Sequence, residues 1–289
     1  MRYTISFLLT TAIAAPAMAE VPRVVTDFGP IQSLVAQVMG DLGAPMMLLP
    51  TGGDPHDFQL RPSQARTLAE ADLVFWDGPE LMPVLERAIA SLGENGKAVA
   101  LLHAGGGTTR SFEGADGIDP HAWLDPTNAE AWLGTIAAEL ALADPDNAAS
   151  YAANAAAAQT AIQSLDAELA TQLAPARDKP FVVFHDALGY FADHYGLRVA
   201  GAIELGDAST PGAAHLSAIR GLVADAGVVC VFPEAGRDPK FIAAVTDGSD
   251  VRIGAGQDVA GITLQPGPEL YAGLMRGLAN TLADCLITD

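Results

Sequence analysis

The chain is poor in cysteine, in positive charge and in aromatic side chains. Its 289 residues hold two cysteines, 15 Lys and Arg against 35 Asp and Glu, and 6% aromatics, for a formal net charge of −20. Each shortage excludes something. So few cations argue against the basic patch that nucleic acid or an anionic membrane surface requires. The acidic balance mildly favours the approach of a cation, and it equally suits a solvated surface that keeps a protein soluble. Two cysteines, Cys230 and Cys285, allow at most one disulfide, and an even, minimal count in an oxidising compartment reads as that one bond. The leading apolar stretch, Ile5 to Ala15, is shorter than the roughly 20 residues a bilayer span needs.

That stretch has another reading. Arg2 precedes it and Ala17-Met18-Ala19 follows, which together make a positive start, an apolar middle and a small-x-small cleavage site. Residues 1–19 are therefore expected to be a cleaved signal peptide. With no cysteine at the cut for a lipid anchor, a soluble periplasmic protein is expected.

The remaining chain exceeds the usual single core and reads as two domains. Short apolar runs alternate with helical patterns, which predicts an α/β fold of two lobes, each with a mostly parallel sheet flanked by helices. In the first half the predicted strands are Val21–Phe28, Pro45–Pro50, Asp72–Trp76 and Ala98–Leu102. Helices are predicted near Ile31–Met39, Pro62–Ala71, Glu80–Ser91 and Asn128–Leu142. In the second half the strands are Phe181–Phe184, Arg198–Ile203, Val228–Phe232 and Val251–Ile253, with helices near Leu188–Tyr195, Pro211–Ala226, Pro239–Thr246 and Pro268–Leu286. Between them runs an Ala-, Gln-, Leu- and Glu-rich stretch without glycine, from Asp144 to about Leu173. Asp144 suits an N-cap and Pro145 the first helical position. The expected plan is an N-terminal lobe over 20–143, a long rigid linking helix over 144–175 and a C-terminal lobe over 176–289. Gly105 to Gly117 is glycine-rich and polar, and is expected to be a surface loop.

Three of the six histidines stand apart by context. His56 follows an apolar strand, in Gly53-Asp54-Pro55-His56-Asp57-Phe58. His121 lies before a helix, in Asp119-Pro120-His121-Ala122-Trp123-Leu124-Asp125-Pro126, and His185 ends a strand and begins His185-Asp186-Ala187. Ligands of open α/β sheets bind beyond the carboxyl ends of the strands, and neutral imidazole is the commonest protein metal ligand. Asp54, Asp57, Asp119, Asp125 and Asp186 lie close by in sequence, where carboxylates could orient ligating rings. The three histidines are too far apart for periodicity to show that they meet. His103, at the edge of the glycine-rich stretch, is a weaker candidate. His194 is expected on a solvent-facing helix side and His215 at a helix start, while Trp76 and Trp123 read as packing residues.

Four passages carry a family resemblance. They are Pro55-His56-Asp57-Phe58-Gln59-Leu60-Arg61-Pro62-Ser63 with Ala71-Asp72-Leu73-Val74-Phe75-Trp76 and Gly78-Pro79-Glu80 after it; His121-Ala122-Trp123-Leu124-Asp125-Pro126; Phe181-Val182-Val183-Phe184-His185-Asp186-Ala187-Leu188-Gly189-Tyr190-Phe191; and Cys230-Val231-Phe232-Pro233-Glu234 with Val251-Arg252-Ile253-Gly254. In this order they resemble the metal-specific solute-binding proteins of ABC importers, above all the periplasmic zinc-binding branch. The resemblance implies two α/β lobes joined by a rigid helix, with Zn²⁺ in the cleft on His56, His121 and His185. It also implies a Cys230–Cys285 disulfide, and delivery of the ion to a membrane permease with its ATPase, with a periplasmic metallochaperone as a further candidate partner and a monomeric chain.

Three imidazoles suit Zn²⁺ better than Mn²⁺ or Mg²⁺. Asp258, in Gly256-Gln257-Asp258-Val259-Ala260-Gly261, resembles the segment where related binders place an aspartate on the metal, so the fourth ligand is expected to be Asp258 or a water in its place. The chain departs from the branch in lacking a long His- and Asp-rich loop before the second ligand. A manganese or iron binder of the same fold is the alternative. A zinc hydrolase is disfavoured, because there is no His-Glu-x-x-His helix and no obvious general base.

Overall fold

In the computed structural model, residues 21–91, 96–112, 117–206, 210–225 and 227–287 are described. The expected leader lies outside them. Two sheets of the same plan are built from the apolar runs. In the first, β1 (Val24–Thr26), β2 (Met46–Met47), β3 (Leu73–Trp76) and β4 (Lys97–Ala100) pair in the order β2-β1-β3-β4, with every pairing parallel. In the second, β5 (Phe181–His185), β6 (Val199–Glu204), β7 (Cys230–Phe232) and β8 (Arg252–Ile253) repeat it as β6-β5-β7-β8, again all parallel. Parallel strands need crossovers, and helices supply them. These are α1 (Gly29–Met39), α2 (Pro62–Ala69) and α3 (Pro83–Ala90) in the first lobe, and α6 (Gly189–Tyr195), α7 (Ala213–Asp225) and α8 (Lys240–Thr246) in the second.

The central strands are buried on both faces, so β3, and β5 up to Phe184, read as unbroken apolar runs rather than alternating ones. The two faces of β5 still divide the core. Phe181 and Val183 join a cluster that runs from the first lobe through the middle of the molecule, while Val182 and Phe184 pack with Ile203, Ile219 and Val231 on the other side of the second sheet.

Between the lobes, α4 (Pro126–Ala143) and α5 (Ala148–Leu173) pack side by side. At 26 residues, α5 is about 39 Å long. Its buried stripe of Tyr151, Ala155, Ala158, Ile162, Leu165, Leu169 and Leu173 follows the three-and-four spacing of a helix packed along its whole length. The α-helix proper starts at Ala148, three residues after the Pro145 position that the sequence suggests. Pro145–Asn147 form a 3-10 turn, and the Asp144 carboxylate accepts hydrogen bonds from Asn147 Nδ2 (2.7 Å) and Tyr151 Oη (2.9 Å) instead of from the first-turn backbone.

The last segment ties the halves together. The final helix, α9 (Leu270–Leu286), packs on both α5 and α1. Ahead of it the chain crosses back to the first lobe. Ser33 Oγ donates to the Pro268 carbonyl (2.9 Å) and accepts from Tyr271 N (3.0 Å), and Gly267 N donates to Gln32 Oε1 (2.9 Å). The Cys230–Cys285 disulfide clips α9 to β7, with the Cα atoms 6.3 Å apart. No described helix is long and apolar enough to cross a membrane.

Candidate metal centre

His56, His121 and His185 come from loops and a strand end at the carboxyl edges of both sheets, and they meet. One ligand atom from each lies within 4.8 Å of the others. Ring centroids are 4.8 Å apart for His121–His185, 5.0 Å for His56–His185 and 5.6 Å for His56–His121. His121 and His185 are buried and His56 is partly exposed, which makes His56 the ring of the three nearest solvent.

Each ring is placed by its own local device. His56 sits in an Asx turn, where its N–H donates to Asp54 Oδ1 (2.9 Å). His185 is the last residue of β5, paired with Glu204 of β6, and its Nδ1 lies 3.5 Å from Glu234 Oε2. His121 is held most firmly. Asp119, fully buried, takes both the His121 backbone N–H (3.0 Å) and Nδ1 (2.7 Å) on one oxygen. Burial pushes the His121 imidazole below its ordinary value, helped by the neighbouring rings of His185 and His56 and against the pull of Asp119. The ring is therefore neutral, its proton sits on Nδ1 facing the carboxylate, and Nε2 is the lone pair that remains. That Nε2 is buried without a hydrogen-bond partner among the described residues.

Charged groups surround the three rings. Burial raises Glu234, but His185, Arg237 and His121 outweigh it and hold the carboxyl below the usual range, as an anion beside the site. Arg237 Nη2 lies 2.9 Å from Asp54 Oδ2, joining the loop of His56 to the loop of Glu234 across the cleft. The His121 turn is also tied to the segment after β8, because Trp123 Nε1 donates to the Val259 carbonyl (2.9 Å) and Tyr271 Oη to the Trp123 carbonyl (3.0 Å).

Asp258 does not join the three histidines. It lines the same pocket as His56, His121 and Glu234, but its carboxylate is turned to its own loop. It accepts from Ile262 N (2.8 Å), Thr263 N (2.8 Å) and Thr263 Oγ1 (2.6 Å), a turn cap that uses both oxygens. His103 also stays apart, paired with Glu80 at 2.9 and 3.0 Å. His215 Nε2 donates to the Ala202 carbonyl (2.9 Å). His194 differs from the sequence reading. It does not face solvent: Nδ1 lies 3.2 Å from Asp125 and Nε2 2.8 Å from Asp166, so one ring joins α6, the start of α4 and α5.

Among the residues around the site, Arg110 and Arg237 were not marked by sequence pattern, and Glu234 entered only within a resemblance passage, with no role beside the histidines. A faint signal existed, since cations are scarce in this chain and two of them stand in glycine-flanked loops.

The chain matches the family model described as zinc-uptake complex component A, periplasmic, over residues 24–285. It is 50% identical to the high-affinity zinc uptake system protein ZnuA of Paracoccus denitrificans, with 98% of each chain covered, and 35% identical to the protein of that name from Brucella abortus, with 91% of each covered. Among solved structures, a ZnuA crystal structure superposes with a TM-score of 0.78 at 26% identity, covering 92% of this chain and 99% of that one. With the three-histidine centre between two parallel sheets, these likenesses place the chain in the zinc-uptake complex component A family.

Proposed function

We propose that the protein is the periplasmic zinc-binding component of an ABC importer, and that it captures one Zn²⁺ on His56, His121 and His185. The observation that carries this reading is the convergence of three imidazole donors within 4.8 Å, drawn from both lobes. Three neutral nitrogens form a borderline-soft set suited to a tetrahedral Zn²⁺ with one further position. Water fills that fourth position. Asp258 stands on the wall beside it and reaches the ion only if the turn it caps opens.

Capture requires no bond to be made or broken in a substrate, so the protein works by binding and release rather than catalysis. The acidic surface favours approach of the cation. His56, the most exposed of the three, is the first contact, and the buried pair His121 and His185 completes the site. The ion then ties residues 20–143 to residues 176–289 across the linking helix. A monomer cut after residue 19 would carry the ion to the permease and its ATPase, and a metallochaperone could load the same exposed edge.

Titration of purified protein with Zn²⁺ against a chromophoric chelator tests the reading. One equivalent bound by wild type and a loss of at least tenfold in affinity in each single His→Ala variant are expected. Unchanged affinity in any one of the three removes that residue from the site.

A further inference from the structure

Arg110 is joined to the site only through another residue, and it reaches both lobes. The Asp119 N–H donates to the Arg110 carbonyl (2.9 Å), and Ser111 bridges Ile118, so the two side chains leave the backbone close together. Arg110 Nη1 donates to Asp119 Oδ2 (2.9 Å), while Asp119 Oδ1 faces His121. The same guanidinium lies 3.2 Å from Asp193 on α6 through Nε. Tyr190, also on α6, accepts from Arg110 N (2.9 Å) and donates to the Asp119 carbonyl (3.0 Å), fastening the same two residues a second time.

The guanidinium needs room, and Gly189 provides it. A β-carbon at Gly189 would stand 1.3 Å from Arg110 Nη1. The backbone there is not left-handed, so the glycine serves the space that Arg110 occupies rather than a turn.

We propose that Arg110 is a positioning residue of the metal centre: it fixes the Asp119 carboxylate, and through it the His121 ring, in register with α6 of the second lobe. Asp119 is fully buried, and a buried carboxylate without its cation is a costly, poorly fixed charge. The planar fork of arginine fixes an oxygen in direction as well as in charge, which lysine does not. Holding Oδ2 leaves Oδ1 aimed at His121 Nδ1, so Nε2 points at the position where it must meet the donors of His56 and His185.

The inference rests on the three-histidine reading, and the experiment separates the two. Zinc affinity is measured by chelator competition for wild type, Arg110→Gln, Asp119→Asn and the double variant, with the melting temperature of the metal-free protein as control. Arg110→Gln should weaken zinc binding roughly tenfold, and it should cost nothing further in the Asp119→Asn background. A purely structural role would give the same loss in both backgrounds and overturn the proposal, as would wild-type affinity in Arg110→Gln. If Arg110→Gln does not fold, Gly189→Ala replaces it. That change keeps the arginine but evicts its guanidinium, and the same weakening is expected, with wild-type affinity overturning the proposal. If wild type binds no zinc, the three-histidine reading falls and takes this one with it.

Discussion

Asp119 and His121 share a 2.7 Å hydrogen bond inside a fully buried pair, and it decides which nitrogen of the ring is offered to a metal. The carboxylate accepts a hydrogen bond from Nδ1–H, so the neutral ring presents the Nε2 lone pair. Carboxylates of this kind raise ligand basicity as well as fixing the ring. Asp119→Ala is expected to weaken zinc binding by about 10- to 100-fold, measured by chelator competition. Affinity within about twofold of wild type would show that the His121 turn holds the ring unaided.

Asp258 gives a contrasting expectation. Because both of its oxygens cap the turn to Ile262 and Thr263, Asp258→Ala should lower stability by about 1–2 kcal/mol and leave zinc affinity nearly unchanged. Denaturant melts and zinc titration of the same variant check both halves. A tenfold loss of affinity would mean that the turn opens on loading and that Asp258, not water, completes the site.

His194 should make stability fall as pH rises past neutral. Asp125 raises its imidazole pKa first and Asp166 adds to this, against a smaller opposing effect of burial. A raised pKa means that the tie among α4, α5 and α6 is fully present below about pH 6.5, the ordinary imidazole value. It is lost as pH climbs through the higher value of the folded state. His194→Gln should therefore lower the melting temperature of metal-free protein at about pH 6 and much less at about pH 9. An equal loss at both would show that the ring acts by packing alone.

The disulfide clips α9 to β7, and α9 in turn braces both lobes. Closing a loop with a sequence separation of 55 should stabilise the protein by about 4 kcal/mol in the chain-entropy account. Cys230→Ala/Cys285→Ala is expected to fold with a clearly lower melting temperature while keeping its zinc affinity, because neither cysteine belongs to the three-histidine cluster and both are held in the disulfide. Thiol counting on denatured, unreduced wild type should find none free.

Much of the architecture was legible because parallel strands buried on both faces leave continuous apolar runs such as Leu73–Trp76 and Phe181–Phe184. His56 and His185 could be placed from position alone, at the carboxyl ends of strands. The start of the long helix was misread because Asp144-Pro145 has the chemistry of a cap, and only the folded chain brings Tyr151 and Asn147 to that carboxylate. His194 was misread for a similar reason. Its helix has seven residues, too few for a periodic face, and its two carboxylates arrive from distant elements. No local pattern reports that the segment from Val259 to Tyr271 returns to Trp123 and Ser33. Such contacts depend on packing between lobes, and the same is true of Arg110 and Asp193.

The central claim is that zinc bridges the two lobes through three neutral imidazoles. The most direct measurement is the melting temperature with and without Zn²⁺, at about pH 7.5 and about pH 5, for wild type and His121→Ala. Protons compete with the metal below the ordinary imidazole value of about 6.5. Wild type should gain about 4 kcal/mol from zinc at a thousandfold excess over Kd near pH 7.5, and much less near pH 5. His121→Ala should gain little at either pH. A variant that gained as much from zinc as wild type would contradict the account.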